Sequence, residues 1–230
     1  FTEEQNEIVA LLTESGQLHF IHAKNGAPLS QQQLPLDDAQ ISSVKVKTPG
    51  DDTLLLGLSN GTAIAVGTTF KVKFNEQGER LGVEPRVTQL FNGKALTLDP
   101  QGRSINYIAE QNSPEGKLLA GLVGEGQVVM TLLRQRTNFI TGQVQESLDT
   151  VDFPSATAYT RLLIAPDHHY TFALRNNGLL DVYTSRNLNN IELMHTLTLV
   201  EPGQEVTQMV FQLAQQSLLV GDSQGQITQY

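Results

Sequence analysis

Five histidines and several acidic pairs are the residues whose types could do chemistry in this 230-residue chain. His19 and His22 stand three apart in a strand-like run, so their side chains face opposite sides and cannot share a metal ion. His168 and His169 follow Pro166-Asp167 in a turn of the Pro-Asp-Gly-Lys kind, where a solvated loop is expected. His195 falls on an outer strand and is expected at the surface. Asp37-Asp38 and Asp51-Asp52 are adjacent carboxylates in loop-like sequence, the second pair inside Pro49-Gly50-Asp51-Asp52. Acid-base work needs two carboxyl groups converging in space, and neighbours in a loop usually just meet water. Asp222 and Ser223 occupy a tight turn, whose geometry Asp and Ser stabilise through local hydrogen bonds. Asn60-Gly61-Thr62 spells a glycosylation sequon, but inside a tight hairpin its use is not expected.

No nucleophile elbow, phosphate loop, dinucleotide fingerprint or calcium loop occurs in the sequence. Cysteine is absent, which removes disulfides, zinc ribbons and thiol nucleophiles. The net charge of -9 disfavours nucleic-acid backbones and anionic lipid surfaces, both of which need clustered Lys and Arg. No catalytic, cofactor-binding or metal site is therefore expected, and the chain reads as a non-enzyme. A hydrophobic share of 39% with 17% charged residues describes a globular chain, and 230 residues suffice for one large all-β domain.

The elements that would position any site come from a repeat. An apolar strand, a polar turn closing on Gly and a second apolar strand recur five times. Leu54-Leu55-Leu56-Gly57-Leu58, Ser59-Asn60-Gly61 and Thr62-Ala63-Ile64-Ala65-Val66 make the plainest copy. The closing glycines are Gly16, Gly61, Gly126, Gly178 and Gly225, spaced 45, 65, 52 and 47 residues apart. Asn-Gly and similar pairs suit the positive φ of tight hairpins, and a period of roughly 40 to 50 residues suits a four-stranded propeller blade. The reading is an all-β β-propeller with WD-repeat-like or quinoprotein-like blades. About five are present, at 1–36, 41–99, 104–154, 159–200 and 206–230. An insertion is expected in the 65-residue interval, at Gln111–Gly116 or near Arg134–Gly142.

First strands are expected at Ile41–Lys47, Ser104–Glu110, Thr160–Ala165 and Val206–Leu213, and last strands at Val144–Phe153 and Glu192–Leu199. Gly57, Gly121 and Gly221 recur within strands, where glycine permits close approach of a neighbouring sheet. The first copy has no strand before it and the last stops after its third strand. The expectation is a piece of a longer polypeptide with seven or eight blades in all, whose exposed edges could self-associate.

Three segments carry a resemblance. They are Leu54–Thr62 continuing into Val66-Gly67-Thr68-Thr69-Phe70-Lys71-Val72, Asn138-Phe139-Ile140-Thr141-Gly142, and Val206-Thr207 with Ser217–Gly225. Together they resemble the extracytoplasmic insert of the long-form permease subunit of bacterial phosphate ABC transporters. The resemblance spans nearly the whole chain. It implies a periplasmic domain of an inner-membrane protein, anchored by helices outside this chain. The other transporter subunits and the periplasmic phosphate-binding protein would be its partners. It implies no site residues here, because translocation would occur in the membrane helices. Two alternatives stay open, a free-standing propeller scaffold and a propeller enzyme of the lactonase or quinone type. The absence of Trp weighs against WD repeats proper and against quinone-enzyme blades.

Overall fold

The computed structural model describes residues 8–46, 53–89, 93–138, 140–142, 144–212 and 217–230. Every regular element of any length in these residues is a β-strand, and none of their helices is long and apolar enough to cross a membrane. The chain divides into two compact units, Phe1–Ile105 and Asn106–Tyr230.

The strands form antiparallel sheets in chain order, one for each sequence repeat. The first holds β1 (Ile8–Leu12), β2 (Gln17–His22) and β3 (Pro28–Gln33). The second runs β4 (Ile41–Val46), β5 (Thr53–Leu58), β6 (Thr62–Phe74) and β7 (Arg80–Gln89), and the short β8 (Leu96–Thr97) also pairs with β6. The third contains β9 (Ile105–Ser113), β10 (Gly116–Val123), β11 (Gln127–Thr137) and β12 (Val144–Val151). The fourth contains β13 (Tyr159–Ile164), β14 (Tyr170–Arg175), β15 (Leu179–Thr184) and β16 (Glu192–Thr198). The fifth holds β17 (Val206–Phe211), β18 (Leu218–Asp222) and β19 (Ile227–Gln229).

Central strands are apolar on both faces because both faces are covered. Leu55 and Leu56 on β5 are both buried, as are Leu118, Leu119 and Ala120 on β10. In the first unit Leu34 and Leu36 pack with Leu56, Leu58, Ile64 and Val66. In the second, Leu118, Ala120, Met130 and Leu132 meet Leu162, Ile164 and Ala173. Leu174, Leu180 and Leu199 meet Met209, Leu218 and Val220. Each fully buried side chain of this size contributes about 1.5 to 3 kcal/mol.

A turn glycine ties each of the first four repeats to the chain that follows. The carbonyl of Gly16 accepts the N–H of Leu34 (2.9 Å), that of Gly61 accepts Leu98 (3.0 Å) and Asp99 (2.9 Å), that of Gly126 accepts Tyr159 (2.9 Å) and that of Gly178 accepts Leu199 (3.1 Å). Each glycine has positive φ, between 78° and 103°, which L-residues adopt only at a cost. Space is short as well. A Cβ on Gly126 would lie 2.3 Å from the Tyr159 carbonyl oxygen, whereas nothing lies within 4 Å of one on Gly225.

A second recurrent device sits where the first strands begin. The ladders of β4, β13 and β17 shift register around Ser42, Thr160 and Thr207. At each bulge the hydroxyl reaches a carbonyl of the next strand: Ser42 shares its hydrogen between Gly57 (3.1 Å) and Ile105 (2.8 Å), Thr160 donates to Leu174 (3.3 Å) and Thr207 to Gly221 (3.0 Å). In the third sheet Asn106 holds the matching place and its amide donates to the Gly124 carbonyl (2.9 Å). The close approach expected at Gly57 is present, since a Cβ there would meet Ser43 Oγ at 2.4 Å and Ile105 Cγ2 at 2.7 Å. At Gly221 the nearest neighbour is Thr207 Oγ1 at 3.5 Å, an ordinary contact.

The insertion lies elsewhere than the sequence reading put it. Residues 111–116 belong to β9, a short turn and the start of β10, and Arg134–Gly142 follows Gly126 and so falls outside the 65-residue interval. The extra residues instead lengthen β6 and β7. β5 leaves β6 at Gly67, yet β6 and β7 stay paired as far as Phe74 and Arg80. The 20 residues from Thr68 to Val87 account for the excess of this interval over the 45-residue one before it. Lys and Glu alternate with the apolar residues there, as on a half-exposed strand, so the run has no continuous apolar signal in the sequence.

Gly126→Ala is expected to lower unfolding stability by about 2 to 5 kcal/mol, combining a left-handed backbone with a backbone clash. Gly225→Ala is expected to cost about 1 to 2 kcal/mol, from the backbone alone. Urea melts of the two variants measure this, and equal losses would show that the Gly126 contact with Tyr159 does not matter.

Candidate functional site

His19 and His22 lie on β2 opposite Leu11 and Ile8, with their side chains on opposite faces. His22 Nδ1 accepts the Lys24 N–H at 3.3 Å. The turn with His168 and His169 is more than a solvated loop. His168 has φ 57°, its carbonyl accepts the Ser185 hydroxyl (2.9 Å), and the His169 carbonyl accepts the Ser185 N–H (2.7 Å). Ser185 is fully buried, so it staples this turn to the end of β15. His195 is exposed on β16 opposite Val182. It stands at a groove of about 550 Å³ lined by Phe172, Leu180, Leu197 and Phe211.

Asp37 and Asp38 are exposed turn residues with φ of 48° and 65°, and Asp51-Asp52 lies outside the described residues. Asp222 does turn work, its Oδ1 accepting the N–H groups of Gln224 (2.9 Å) and Gln226 (2.8 Å). Asn60 Oδ1 accepts the Thr62 hydroxyl at 2.7 Å and the Thr62 N–H at 3.2 Å, so its side-chain oxygen holds the hairpin turn. Among the described residues no group of three or more His, Asp or Glu side chains is placed to hold a metal ion.

The strongest convergence of polar groups is one the sequence reading passed over. Asp181, fully buried on β15, receives four donors. Arg175 Nε and Nη2 reach its two oxygens at 2.8 Å each, the Tyr159 hydroxyl donates at 2.8 Å and the Thr196 hydroxyl at 2.6 Å. The Tyr159 and Tyr183 hydroxyls are 2.7 Å apart, and Ser155 Oγ lies 3.0 Å from Tyr159. The available signal was one Asp inside the apolar run Leu179-Leu180-Asp181-Val182-Tyr183, with Arg175 across the hairpin. A buried carboxylate needs such partners.

Burial works to raise the Asp181 carboxyl, but the hydrogen bonds from Thr196, Tyr159 and Arg175, with the Arg175 charge, outweigh it. Its pKa falls below the ordinary carboxylate value. Burial pushes the Tyr159 phenol well above the usual tyrosine value, and its bonds to Tyr183 and Asp181 add to that. The carboxylate is saturated with donors and closed to solvent, so it suits a structural cross-brace of the fourth sheet and not a proton shuttle. Asp99 has a similar role, accepting from Arg103 Nε (2.8 Å) and from the N–H of Arg103 (3.0 Å) in the loop beside Gly61.

Asp181→Asn is expected to lower stability by about 3 kcal/mol at pH 6, since it leaves the Arg175 charge without its partner. The Asp181 carboxyl is depressed in the folded protein, so the unfolded chain takes up its proton first as pH falls. The stability it contributes is whole above the unfolded value of about 3.9 and is lost as pH drops towards the folded pKa. Urea midpoints of wild type and variant should therefore converge below about pH 4. A gap that stays constant to pH 2.5 would refute the assignment.

No family model and no curated protein matches the chain. Solved structures do. The chain is similar to the β-propeller domain of Myceliophteria thermophila Cps50 (Swd1), with 14% identity, coverage of 98% of this chain and 62% of that one, and a TM-score of 0.52. It is similar to Saccharomyces cerevisiae Sqt1, with 16% identity, coverage of 99% and 57%, and a TM-score of 0.53. The chain thus spans about three fifths of the length of these structures. At such identities the likeness establishes fold alone, and the fold is that of β-propeller blades.

Proposed function

We propose that the chain is a β-propeller interaction module without catalysis, carried in the periplasm by the permease subunit of a bacterial phosphate ABC transporter. The transporter assignment rests on the resemblance of Leu54–Thr62 with Val66–Val72, of Asn138–Gly142, and of Val206-Thr207 with Ser217–Gly225 described above. The contact partner in this reading is the periplasmic phosphate-binding protein. The net charge of -9 disfavours capture of phosphate by the module itself and suits recognition of a protein surface.

One observation carries the interaction reading. The β6–β7 extension is amphipathic. Phe70 pairs with Pro85 and Val72 with Val83, which places these side chains on one face. Lys71, Lys73 and Arg86 lie on the other, where Lys73 reaches Glu84 at 3.1 Å. At its base Val87 packs against the Leu34–Leu36 cluster. Towards the tip cover is lost, with Phe74 60% and Leu81 67% exposed. A two-stranded ribbon with a bare apolar end is marginal in water, and burying a large aromatic side chain supplies much of the energy of a small interface. The turn beyond carries Glu76 and Glu79, which sets it against an anionic lipid surface and favours a protein.

The purified chain is expected to bind the phosphate-binding protein, and Phe74→Asp with Leu81→Ser is expected to weaken binding about tenfold or more. The same pair should leave stability within about 0.5 kcal/mol per site, because neither side chain is in the core. Calorimetric titration with matched melting curves measures both. Binding unaffected by the double substitution would exclude the extension as the contact element. No binding at all would exclude this partner.

A further inference from the structure

A second surface, within Asn106–Tyr230, has the chemistry of a recognition pocket. It is a cleft of about 490 Å³ where β13 and β17 begin, lined by Tyr107, Arg161, Asn176 and Glu205 among others. The repeat explains how these side chains come together. The residue after each first-strand bulge or its equivalent is Ser43, Tyr107, Arg161 and Gln208 in successive sheets. A bulge re-aims the side chain that follows it. In the third and fourth sheets that place holds a phenol and a guanidinium.

Arg161 is engaged differently from Arg103, Arg134 and Arg175. Each of those three holds a carboxylate of its own chain. Arg161 Nη2 donates to the Thr207 carbonyl at 2.7 Å, which fixes the guanidinium. Among the described residues it makes no ion pair, and this one hydrogen bond leaves most of its five donors unused. The half-buried Tyr107 hydroxyl and the Asn176 amide likewise have no hydrogen-bond partner among the described residues, and burial raises the Tyr107 phenol while the Arg161 charge opposes that. Glu205 is exposed on the rim. Its backbone is pinned by Ser223, through Glu205 N–H to Ser223 Oγ (3.1 Å) and Ser223 N–H to the Glu205 carbonyl (2.8 Å).

We propose that this pocket binds the side-chain carboxylate of a glutamate or aspartate of a partner polypeptide, seated on Arg161 and Tyr107. Arg presents a fork of donors matched to a carboxylate. Glu205 selects among anions. It repels a free dianion such as phosphate, whereas a carboxylate carried on a polypeptide brings backbone N–H groups that Glu205 accepts. The proposal shares the interaction reading above but uses residues of the other unit, so either can fail alone.

The test titrates the 15N-labelled 230-residue chain with N-acetyl-glutamate N-methylamide, its glutamine counterpart and inorganic phosphate in turn. Resonances of the Arg161 Nε–H and the Asn176 amide are followed. The glutamate compound is expected to shift them with a midpoint about fivefold or more below the other two. Arg161→Gln should abolish that preference. Tyr107→Phe, which removes only a hydroxyl, should weaken it about two- to fivefold. Equal midpoints for the glutamate and glutamine compounds would overturn the proposal. Tighter binding of phosphate than of capped glutamate would overturn it too. If Arg161→Gln fails to fold, an unchanged preference in Tyr107→Phe overturns it.

Discussion

The carbonyl of a turn glycine, turned outward by a positive φ, is the contact on which the order of the sheets depends. In each of the first four repeats it captures an N–H of the chain as that chain leaves one sheet for the next. This one bond sets where the following segment runs. The leucines beside it, Leu34, Leu98 and Leu199, are then delivered into the core. Gly126 does the same for Tyr159, and Tyr159 in turn reaches Asp181. Local backbone geometry and the buried polar brace of the fourth sheet are therefore one connected arrangement. The Ser42, Thr160 and Thr207 bulges act beside it, fastening the start of each first strand to its neighbour.

Regularity of this kind leaves function to the departures from it. The framework holds its polar residues in saturated local networks, and Asp181 and Asp99 are fully committed to their arginines. In the reading proposed above, recognition falls to the bare end of the β6–β7 extension and to the donors around Arg161 that have no partner among the described residues. Both arise from repeat positions filled unusually: one hairpin lengthened, and one post-bulge position holding Arg where its counterparts hold Ser, Tyr and Gln.

Much of the fold was legible in the sequence because hairpin turns announce themselves locally. Asn60-Gly61 and Asn177-Gly178 mark turns by chemistry that needs no distant partner, and all five glycine turns lie where the spacing put them. The run Leu54–Leu58, apolar at nearly every position, likewise marks a strand covered on both faces. The β6–β7 extension was not legible, since Thr68–Phe74 and Arg80–Val87 are recognised as partners only through their cross-strand register. The Asp181 network was missed because its donors, Tyr159, Arg175 and Thr196, come from three other strands. The anchoring of His168 and His169 was missed for the same reason, as Ser185 lies a full hairpin away. Local turn signals survive in one dimension, and convergent side chains do not.

Hydrogen exchange at four backbone amides tests the glycine-carbonyl account most directly. If the turn bonds organise the sheets, the amides of Leu34, Leu98, Tyr159 and Leu199 open only with global unfolding. Their exchange then matches the slowest core amides of β5 and β10. Exchange of these four at the rate of exposed loop amides, with β5 and β10 still protected, would contradict it.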